Sequence, residues 1–306
     1  MNMLKIACVI VTYNRKELLK QCLDAVMSQT YKPHTVYITD NASTDGTIDS
    51  VKEWGYYNRE KSCIRFKYIL NSKNEGGAGG FYVGMKTAHE EGLYDGLWVM
   101  DDDGIPDKMC LENLIPYLEN YHFISPLVVA KECNNQMAFF DMKVSNFVTQ
   151  ADNGIIHGEA NPFNGVLFSK KLIEDIGYPK KEMFIWGDEK NYMLRATKSG
   201  KELIIATNAI HVHPRNRQKT KKILLGNSVI EVDSKWKLFC LIRNSVYNRS
   251  LMSEQKLRVV GYCIKLLILY SYYSTIKNKI TWIPMILDAI SKGYNADFTG
   301  LEKYNK

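Results

Sequence analysis

No two cysteines of this chain fall at the C-x-x-C spacing of a zinc knuckle or redox motif. The seven present (Cys8, Cys22, Cys63, Cys110, Cys133, Cys240, Cys263) are odd in number and widely scattered. That argues against a disulfide framework, and the thiols read as reduced and mostly buried. The glycine-rich stretch at 74–80 carries no GKS/T, and no G-x-G-x-x-G occurs in it, which removes the P-loop and the dinucleotide fingerprint. No apolar run reaches the ~20 residues that span a bilayer as a helix. The short apolar run in MNMLKIACVIVTYN has no small-residue cleavage site and passes directly into structured-looking sequence, so it reads as the first strand of a cytosolic protein. There is no internal repeat, no low-complexity tract, and no recognition motif beside the basic residues that would suggest a nucleic acid partner.

What is present is the composition of a folded protein, with 45% hydrophobic and 24% charged residues in 306. That length suits one nucleotide-binding α/β domain with a smaller appendage, drawn here as 1–235 and a basic helical region 236–306. Residues 215–306 hold seventeen Lys/Arg against six Asp/Glu, while the first 214 are mildly acidic at 23 against 27. A basic tail suggests an anionic surface such as a membrane face.

The apolar run Lys5 to Val11, ending in Thr12-Tyr13-Asn14-Arg15, is the pattern of a buried parallel strand that delivers polar groups at its carboxyl end. Helical spacing over 15–29 and a second strand over Thr35 to Thr39, ending in Asp40-Asn41, continue a β-α-β alternation. Thr47 to Trp54 reads as a short helix and Ile64 to Leu70 as a strand. A helix opens in the glycine-rich segment and runs to about Glu91, and a strand over Leu97 to Met100 precedes Asp101-Asp102-Asp103. Asn113 to Tyr121 reads as a helix, Phe163 to Phe168 as a strand, Lys170 to Ile176 and Asp188 to Ser199 as helices, and Glu202 to Ala206 as a strand; the interval 131–161 gives no assignment. The alternation predicts an open, largely parallel sheet with its ligand site along the carboxyl ends of the strands. Beyond Trp236 long helices are expected. Val259 to Tyr273 has a single charge, Lys265, and is expected to pack on the core or lie on a bilayer surface.

Three consecutive carboxylates at a strand end repel and raise one another's pKa unless something positive sits among them, and a divalent cation with hard oxygen ligands is the natural partner. The alternative is a solvated turn. Asp188-Glu189 opens a helix after Met183-Phe-Ile-Trp186-Gly187. The pair is either a cap answering the helix dipole or a general base beside a tryptophan on which a sugar ring stacks. His211 and His213 are read as lying beyond the strand that ends at Ala206, and their i, i+2 spacing is taken to leave at most one ring facing a metal. The glycines of 74–80 serve either a close backbone approach to a nucleotide or a tight turn.

Taken in order, VIVTYNR, DNASTDGT, NEGGAGGF, WVMDDDGIP, FIWGDE with LRA, and HVHP resemble the family 2 glycosyltransferases of the GT-A fold, a Rossmann-like α/β architecture with a mostly parallel sheet. The resemblance covers roughly residues 4–215. NEGGAGGF and the triple aspartate resemble in particular the galactofuranosyltransferases of polysaccharide and O-antigen assembly, with the rhamnosyltransferases beside them.

The resemblance implies Mn²⁺ or Mg²⁺ held by Asp101, Asp103 and His213. It implies donor-contacting residues Thr12, Asn14, Arg15 and Asp102, with Asp40 toward the nucleotide base and Asn74, Gly77 and Gly79 along the donor pocket. Trp186 would meet the sugar, and either Glu189 or Asp188 would be the catalytic base, since this chain has Asp-Glu where relatives often show two aspartates. The implied reaction is an inverting, metal-dependent transfer from a nucleotide-sugar donor, UDP-galactofuranose before dTDP-rhamnose, onto a lipid-linked glycan acceptor. The C-terminal helices, Arg243-Asn244 included, would hold the protein at the inner face of the membrane. A nucleotidyltransferase would be expected to carry glycines directly after its first strand, where VIVTYNRKE has none. A non-catalytic sugar-binding module would have no need of both acidic motifs.

Overall fold

The computed structural model describes residues 3–161, 163–215 and 218–304, which group into two units. The first comprises Met1–Lys181 and Arg195–Asn216, the second Glu182–Leu194 and Arg217–Lys306.

The first unit opens with β1 (Ile6–Thr12), α1 (Lys16–Met27), β2 (Thr35–Asp40), α2 (Thr47–Glu53), the two-residue β3 (Glu60–Lys61), β4 (Ile64–Leu70), α3 (Gly76–Glu90) and β5 (Gly96–Asp101). Every residue of β1 and β2 is buried, because both faces of a parallel strand are covered by helices, and in β1 this shows as a near-continuous apolar run. β1 lies parallel between β2 and β5, and β2 pairs parallel with β4. Ile6, Cys8 and Ile10 of β1 face a core with Leu19, Cys22, Leu23 and Val26 of α1 and Val51 of α2.

The opposite face is covered by α3, which holds five glycines in its first nine residues. Mid-helix glycine ordinarily costs up to about 1 kcal/mol, and here two of them let the helix lie directly on the sheet. A Cβ on Gly80 would sit 2.5 Å from Val11 Cγ1, and one on Gly84 would sit 2.5 Å from Thr39 Oγ1 and 2.6 Å from Val9 Cγ1.

The sheet continues through β6 (Ile105–Pro106), β7 (Phe123–Ala130), β8 (Cys133–Met137), β9 (Ile155–His157), β10 (Asn164–Ser169) and β11 (Leu203–His213), with short helices α4 (Cys110–Leu114), α5 (Val144–Val148) and α6 (Lys170–Ile176) between. Its order is β3-β4-β2-β1-β5-β10-β7-β11-β6, with β8 on β7 and β9 on β11. β10 runs antiparallel to β5 and β7, whereas β11 is parallel to β7, so the sheet is mixed but mostly parallel around β1. Two expectations are corrected here. The helix expected over 113–121 ends at Leu114 and tightens to a 3₁₀ turn over Ile115–Glu119, because Pro116 has no amide to continue an α-helix. The strand expected to stop at Ala206 runs on to His213 after an irregularity between Ala206 and Ile210. Four cysteines, Cys8, Cys22, Cys110 and Cys240, are buried, while Cys63 and Cys133 are exposed.

The second unit holds α7 (Asp188–Lys198) as far as Leu194, the hairpin β12 (Thr220–Lys222) and β13 (Ser228–Ile230), and three helices: α8 (Lys235–Met252), α9 (Lys256–Ile276) and α10 (Ile283–Tyr294). Its core is Leu238, Phe239, Ile242 and Val246 of α8, Leu266, Leu269, Tyr270 and Tyr273 of α9, and Met285, Ile286 and Ala289 of α10. Gly293 lets α10 close on α8, since a Cβ there would be 2.3 Å from the carbonyl oxygen of Arg243. The division at 235/236 expected from composition is drawn differently by the contacts. The end of β13 and the residues just past it are tied to α9, where the hydroxyls of Tyr270 and Tyr273 accept from Ile230 N and Val232 N at 3.3 and 3.1 Å.

Gly84→Ala is expected to lower stability by about 1–3 kcal/mol, as overpacking does, read from urea denaturation followed by fluorescence. An unchanged midpoint would mean that α3 does not rest on β1 and β2 through this residue.

Candidate functional site

The parallel registers set Thr12 opposite Asp40 and Val11 opposite Asp101, so β1, β2 and β5 end level and their polar terminal residues share one edge. The loops leaving that edge are laced together. Asn14, at φ +52°, accepts from Thr44 N through Oδ1 at 2.7 Å and donates its own amide to Ser43 Oγ at 2.9 Å. Asp45 accepts from Thr47 N and Oγ1 at the start of α2 and from Lys16 N at the start of α1, which places a carboxylate at two helix N-termini. Buried Asn41 donates to Gly76 O at 2.7 Å and accepts from Asn71 Nδ2 at 2.9 Å. Neither Asp45 nor Asn41 was singled out from sequence. Asp40 is fully buried, with Oδ1 accepting from Ser43 N at 2.8 Å and Oδ2 from the Tyr68 hydroxyl. Its oxygens are engaged by the loop after β2 and by Tyr68 of β4, and a nucleotide base would have to share them.

The three aspartates differ sharply. Asp102 is buried, with Oδ2 accepting from Thr12 Oγ1 at 2.7 Å and Oδ1 3.3 Å from Arg15 Nη1. Burial outweighs the Thr12 and Arg15 contacts, and its carboxyl is pushed up to about 6. Asp103 is also desolvated, but His213 and Arg15 hold it below the ordinary carboxylate value. Its Oδ2 lies 3.1 Å from the same Arg15 nitrogen. The positive charge that the sequence demanded among these carboxylates is therefore supplied in part by the chain itself, through Arg15.

The two-residue strand β6, directly after the aspartates, pairs with β11 so that His211 lies opposite Pro106 and Val212 opposite Ile105. That pairing brings the histidines to the acidic loop. They lie within β11 and not beyond it, and residues two apart on a strand share a face, which corrects the reasoning that gave only one ring the metal's side. Depth separates them instead. His211 is fully buried in a slot between two glycines: a Cβ on Gly104 would be 2.3 Å from its Nε2, and one on Gly165 2.6 Å from its Nδ1. Burial lowers its pKa to about 3, so it stays neutral, and neither ring nitrogen has a hydrogen-bond partner among the described residues. His211, Gly104 and Gly165 carried no sequence signal as a set, because only the fold joins them.

His213 places Nδ1 2.7 Å from Pro214 O, so Nδ1 donates there and Nε2 is turned toward the acidic loop. That Nε2 lies 3.1 Å from Asp103 Oδ1. Two ligands at ~2.1 Å from a common ion and at right angles would be about 3 Å apart, so this pair fits two positions of an octahedral cation such as Mg²⁺ or Mn²⁺. Among the described residues no three His, Cys, Asp or Glu side chains gather as a metal cage. Asp101 is thus not brought into a three-residue cluster with Asp103 and His213. Mg²⁺ is typically held by one or two carboxylates plus substrate phosphates, which matches a two-ligand site better than a closed one.

In the glycine-rich run Asn74 Oδ1 accepts from Gly76 N at 2.8 Å at the start of α3. Gly77 has open space beside its Cα, whereas Gly79 faces Glu75 of its own helix. The close approach anticipated for these glycines is made at Gly80 and Gly84, toward the protein's own sheet.

Trp186, Asp188 and Glu189 belong to the second unit. Phe184, Trp186 and Gly187 all have positive φ, at +68°, +61° and +90°, a conformation that costs the two aromatic residues roughly 1–3 kcal/mol each. α8 holds the loop in place. Asn244 Nδ2 donates to the carbonyls of Met183, Ile185 and Trp186 at 2.8–3.0 Å, and Asn248 Nδ2 donates to Gly187 O at 2.7 Å. Arg243 Nη2 reaches Glu182 O and Met183 O at 3.2 and 3.0 Å. Arg243, Asn244 and Asn248 are all buried. At the end of this braced loop Asp188 is buried, Glu189 is half-buried and Trp186 packs partly on the core.

The family pattern described as glycosyl transferase family 2 matches residues 7–176, more than half of the chain. The chain is 32% identical over 261 residues to galactofuranosyltransferase GlfT1 of Mycobacterium tuberculosis, covering 81% of this chain and 83% of that protein. Among solved structures it is similar to mannosyltransferase PcManGT from Pyrobaculum calidifontis in complex with GDP-Man and Mn²⁺, with a TM-score of 0.54, 14% identity, and 96% and 88% of the two chains covered. It is also similar to GalNAc-T7 with UDP, GalNAc and Mn²⁺, with a TM-score of 0.55 and 13% identity, covering 81% of this chain and 48% of that one, so it spans about half of that protein. At such identities the two structures speak for the fold alone.

Asn244→Ala would leave the carbonyls of Met183, Ile185 and Trp186 without this donor, at about 1–3 kcal/mol for each one left buried and unpaired. The expected outcome is a lowered melting temperature together with new proteolytic cleavage within 182–187. Wild-type resistance at that loop would show that Asn244 does not hold it.

Proposed function

The chain belongs to glycosyl transferase family 2 and is a glycosyltransferase of the GT-A type of fold, and on that premise we propose that it transfers galactofuranose from UDP-galactofuranose onto a hydroxyl of a lipid-linked glycan in cell-surface polysaccharide assembly. The observation that carries the donor choice is the 32% identity, over four fifths of both chains, with a protein named as a galactofuranosyltransferase. The basic excess of residues 215–306 supports a peripheral placement at the inner face of the membrane, where a lipid-linked acceptor lies.

In this reading Asp103 and His213 would hold Mn²⁺ or Mg²⁺, whose chemistry when bound is to neutralise charge on the departing diphosphate. Thr12, Arg15, Asp102 and Asn14 line the donor side at the ends of β1 and β5, with Asp40 toward the base and Asn74, Gly77 and Gly79 along the α3 side. Trp186 offers a flat apolar face to a sugar ring. Glu189 or Asp188 takes the proton of the acceptor hydroxyl as its oxygen forms the bond to the anomeric carbon. The bond from that carbon to the diphosphate oxygen breaks on the opposite side, so the configuration inverts and UDP leaves.

Calorimetric titration with UDP and dTDP, each with Mn²⁺ and with EDTA, tests the donor side. Tighter binding of UDP that EDTA removes, and that Asp103→Asn or His213→Ala weakens, is the expected result. A preference for dTDP would point to rhamnose, and no binding of either nucleotide would overturn the reading. On the base, either Glu189→Gln or Asp188→Asn is expected to lower turnover by about 10²–10⁴-fold with UDP binding intact. Full activity in both variants would remove this pair from the chemistry.

A further inference from the structure

We propose that the outward face of α9 rests on an anionic lipid surface; that this brings the enzyme to its acceptor depends on the lipid-linked acceptor reading given above. α9 has 21 residues and is long and apolar enough, by length and composition, to cross a membrane. Its two faces serve different surroundings. Val259, Leu266, Leu269, Tyr270, Tyr273 and Ser274 are buried. The Tyr270 and Tyr273 hydroxyls are bonded to the backbone after β12, so spanning a bilayer would strip this face of its core. The helix can meet lipid only along its other side.

That other side carries Leu257, Val260, Ile264, Ile268, Tyr272 and Ile276, all exposed, with Leu257 at 86%, Ile264 at 53% and Ile268 at 54%. Steps of three and four residues place them on one stripe. A surface helix normally turns polar residues outward, and this one is apolar on both sides. Between residues 256 and 279 the chain has five Lys/Arg and no Asp or Glu. Among the described residues Lys256, Arg258 and Lys265 have no acidic partner, while Lys277 is paired with Glu231 at 2.9 Å. An apolar stripe with cations and no acid within the helix is the pattern of a helix lying in an anionic interface. A second copy of the chain fits less well. In a two-fold pairing of this face, Lys265, near the middle of the helix, would approach its own copy.

The test uses the full chain and flotation with vesicles of phosphatidylcholine alone and of phosphatidylcholine with phosphatidylglycerol. Wild type is expected to float with the anionic vesicles. Ile264→Asp with Ile268→Asp should cut the bound fraction at least about tenfold. Lys256→Gln with Arg258→Gln and Lys265→Gln should remove the preference for anionic lipid, as high salt should. Leu257→Asp with Val260→Asp is the second variant if the first does not fold.

Wild type that stays soluble with every vesicle, or a folded Asp variant that binds as wild type does, overturns the proposal. So does a wild-type dimer that ignores vesicles and becomes monomeric in the Asp variant, which would make this face an interface between copies. Transfer to a short soluble acceptor, measured on the same samples, separates the two readings. Transfer without flotation sinks the docking face alone, whereas flotation without transfer or donor binding sinks the reaction and leaves the docking face standing.

Discussion

The parallel register of β1 with β2 and β5 is the constraint on which the candidate donor site depends. Because Thr12 stands opposite Asp40 and Val11 opposite Asp101, three strands stop at one level and their polar ends crowd a single edge. Crowded acids at such an edge need counter-charge. Arg15, three residues past the end of β1, supplies part of it to Asp102 and Asp103. The fold brings a further neighbour from far along the chain, by pairing β6 with the end of β11 so that His213 arrives beside Asp103. The same pairing explains the glycine on one side of His211. A strand drawn that close to the acidic loop leaves no room for a Cβ at Gly104, while on the other side Gly165 of β10 leaves the ring its space.

How much of this was legible in the sequence depended on whether a segment answers to its own residues or to a partner. β1 and β5 are near-continuous apolar runs with polar ends, and burial on both faces of a strand writes that pattern directly. β11 is harder because its irregularity is set elsewhere. Ala206 stands opposite Pro126 of β7, and the register resumes with Ile210 opposite Leu127. Proline donates nothing to a ladder, and the break in β11 coincides with it. Read alone, residues 207–209 look like the end of a strand, and a histidine pair in register on an inner strand looks like part of a loop. β7 itself, Phe123–Ala130, received no assignment from sequence for the related reason that Pro126 sits inside it.

The glycines of α3 show the opposite failure, in which a legible motif has an additional structural purpose. Their number suggested a turn or a nucleotide contact, yet Gly80 and Gly84 hold the helix against β1 and β2, and Gly77 is the one left open. A helix with five glycines is weak by propensity, so its place on the sheet rests on the close packing that those same glycines allow. Gly80 and Gly84 are thus packing devices, beside the positions Asn74, Gly77 and Gly79 proposed to line the donor.

The acidic pair at 188–189 illustrates why catalytic roles resist reading from a motif alone. FIWGDE can be recognised, but nothing in it reveals that Phe184 and Trp186 hold left-handed backbone conformations. Such strain persists only where the surroundings over-determine it, and here the surroundings are three side chains of α8 about sixty residues later. Arg243 suits that task where a lysine would not. Its planar fork spreads several donors over separate acceptors, and it serves Glu182 O, Met183 O, Phe298 O and Asn244 Oδ1 together. Among the described residues this buried guanidinium is bonded largely to backbone carbonyls with no paired carboxylate, and burial lowers its pKa. What the arrangement secures is one fixed path for residues 182–187, and hence a fixed start for α7, where Asp188 and Glu189 stand.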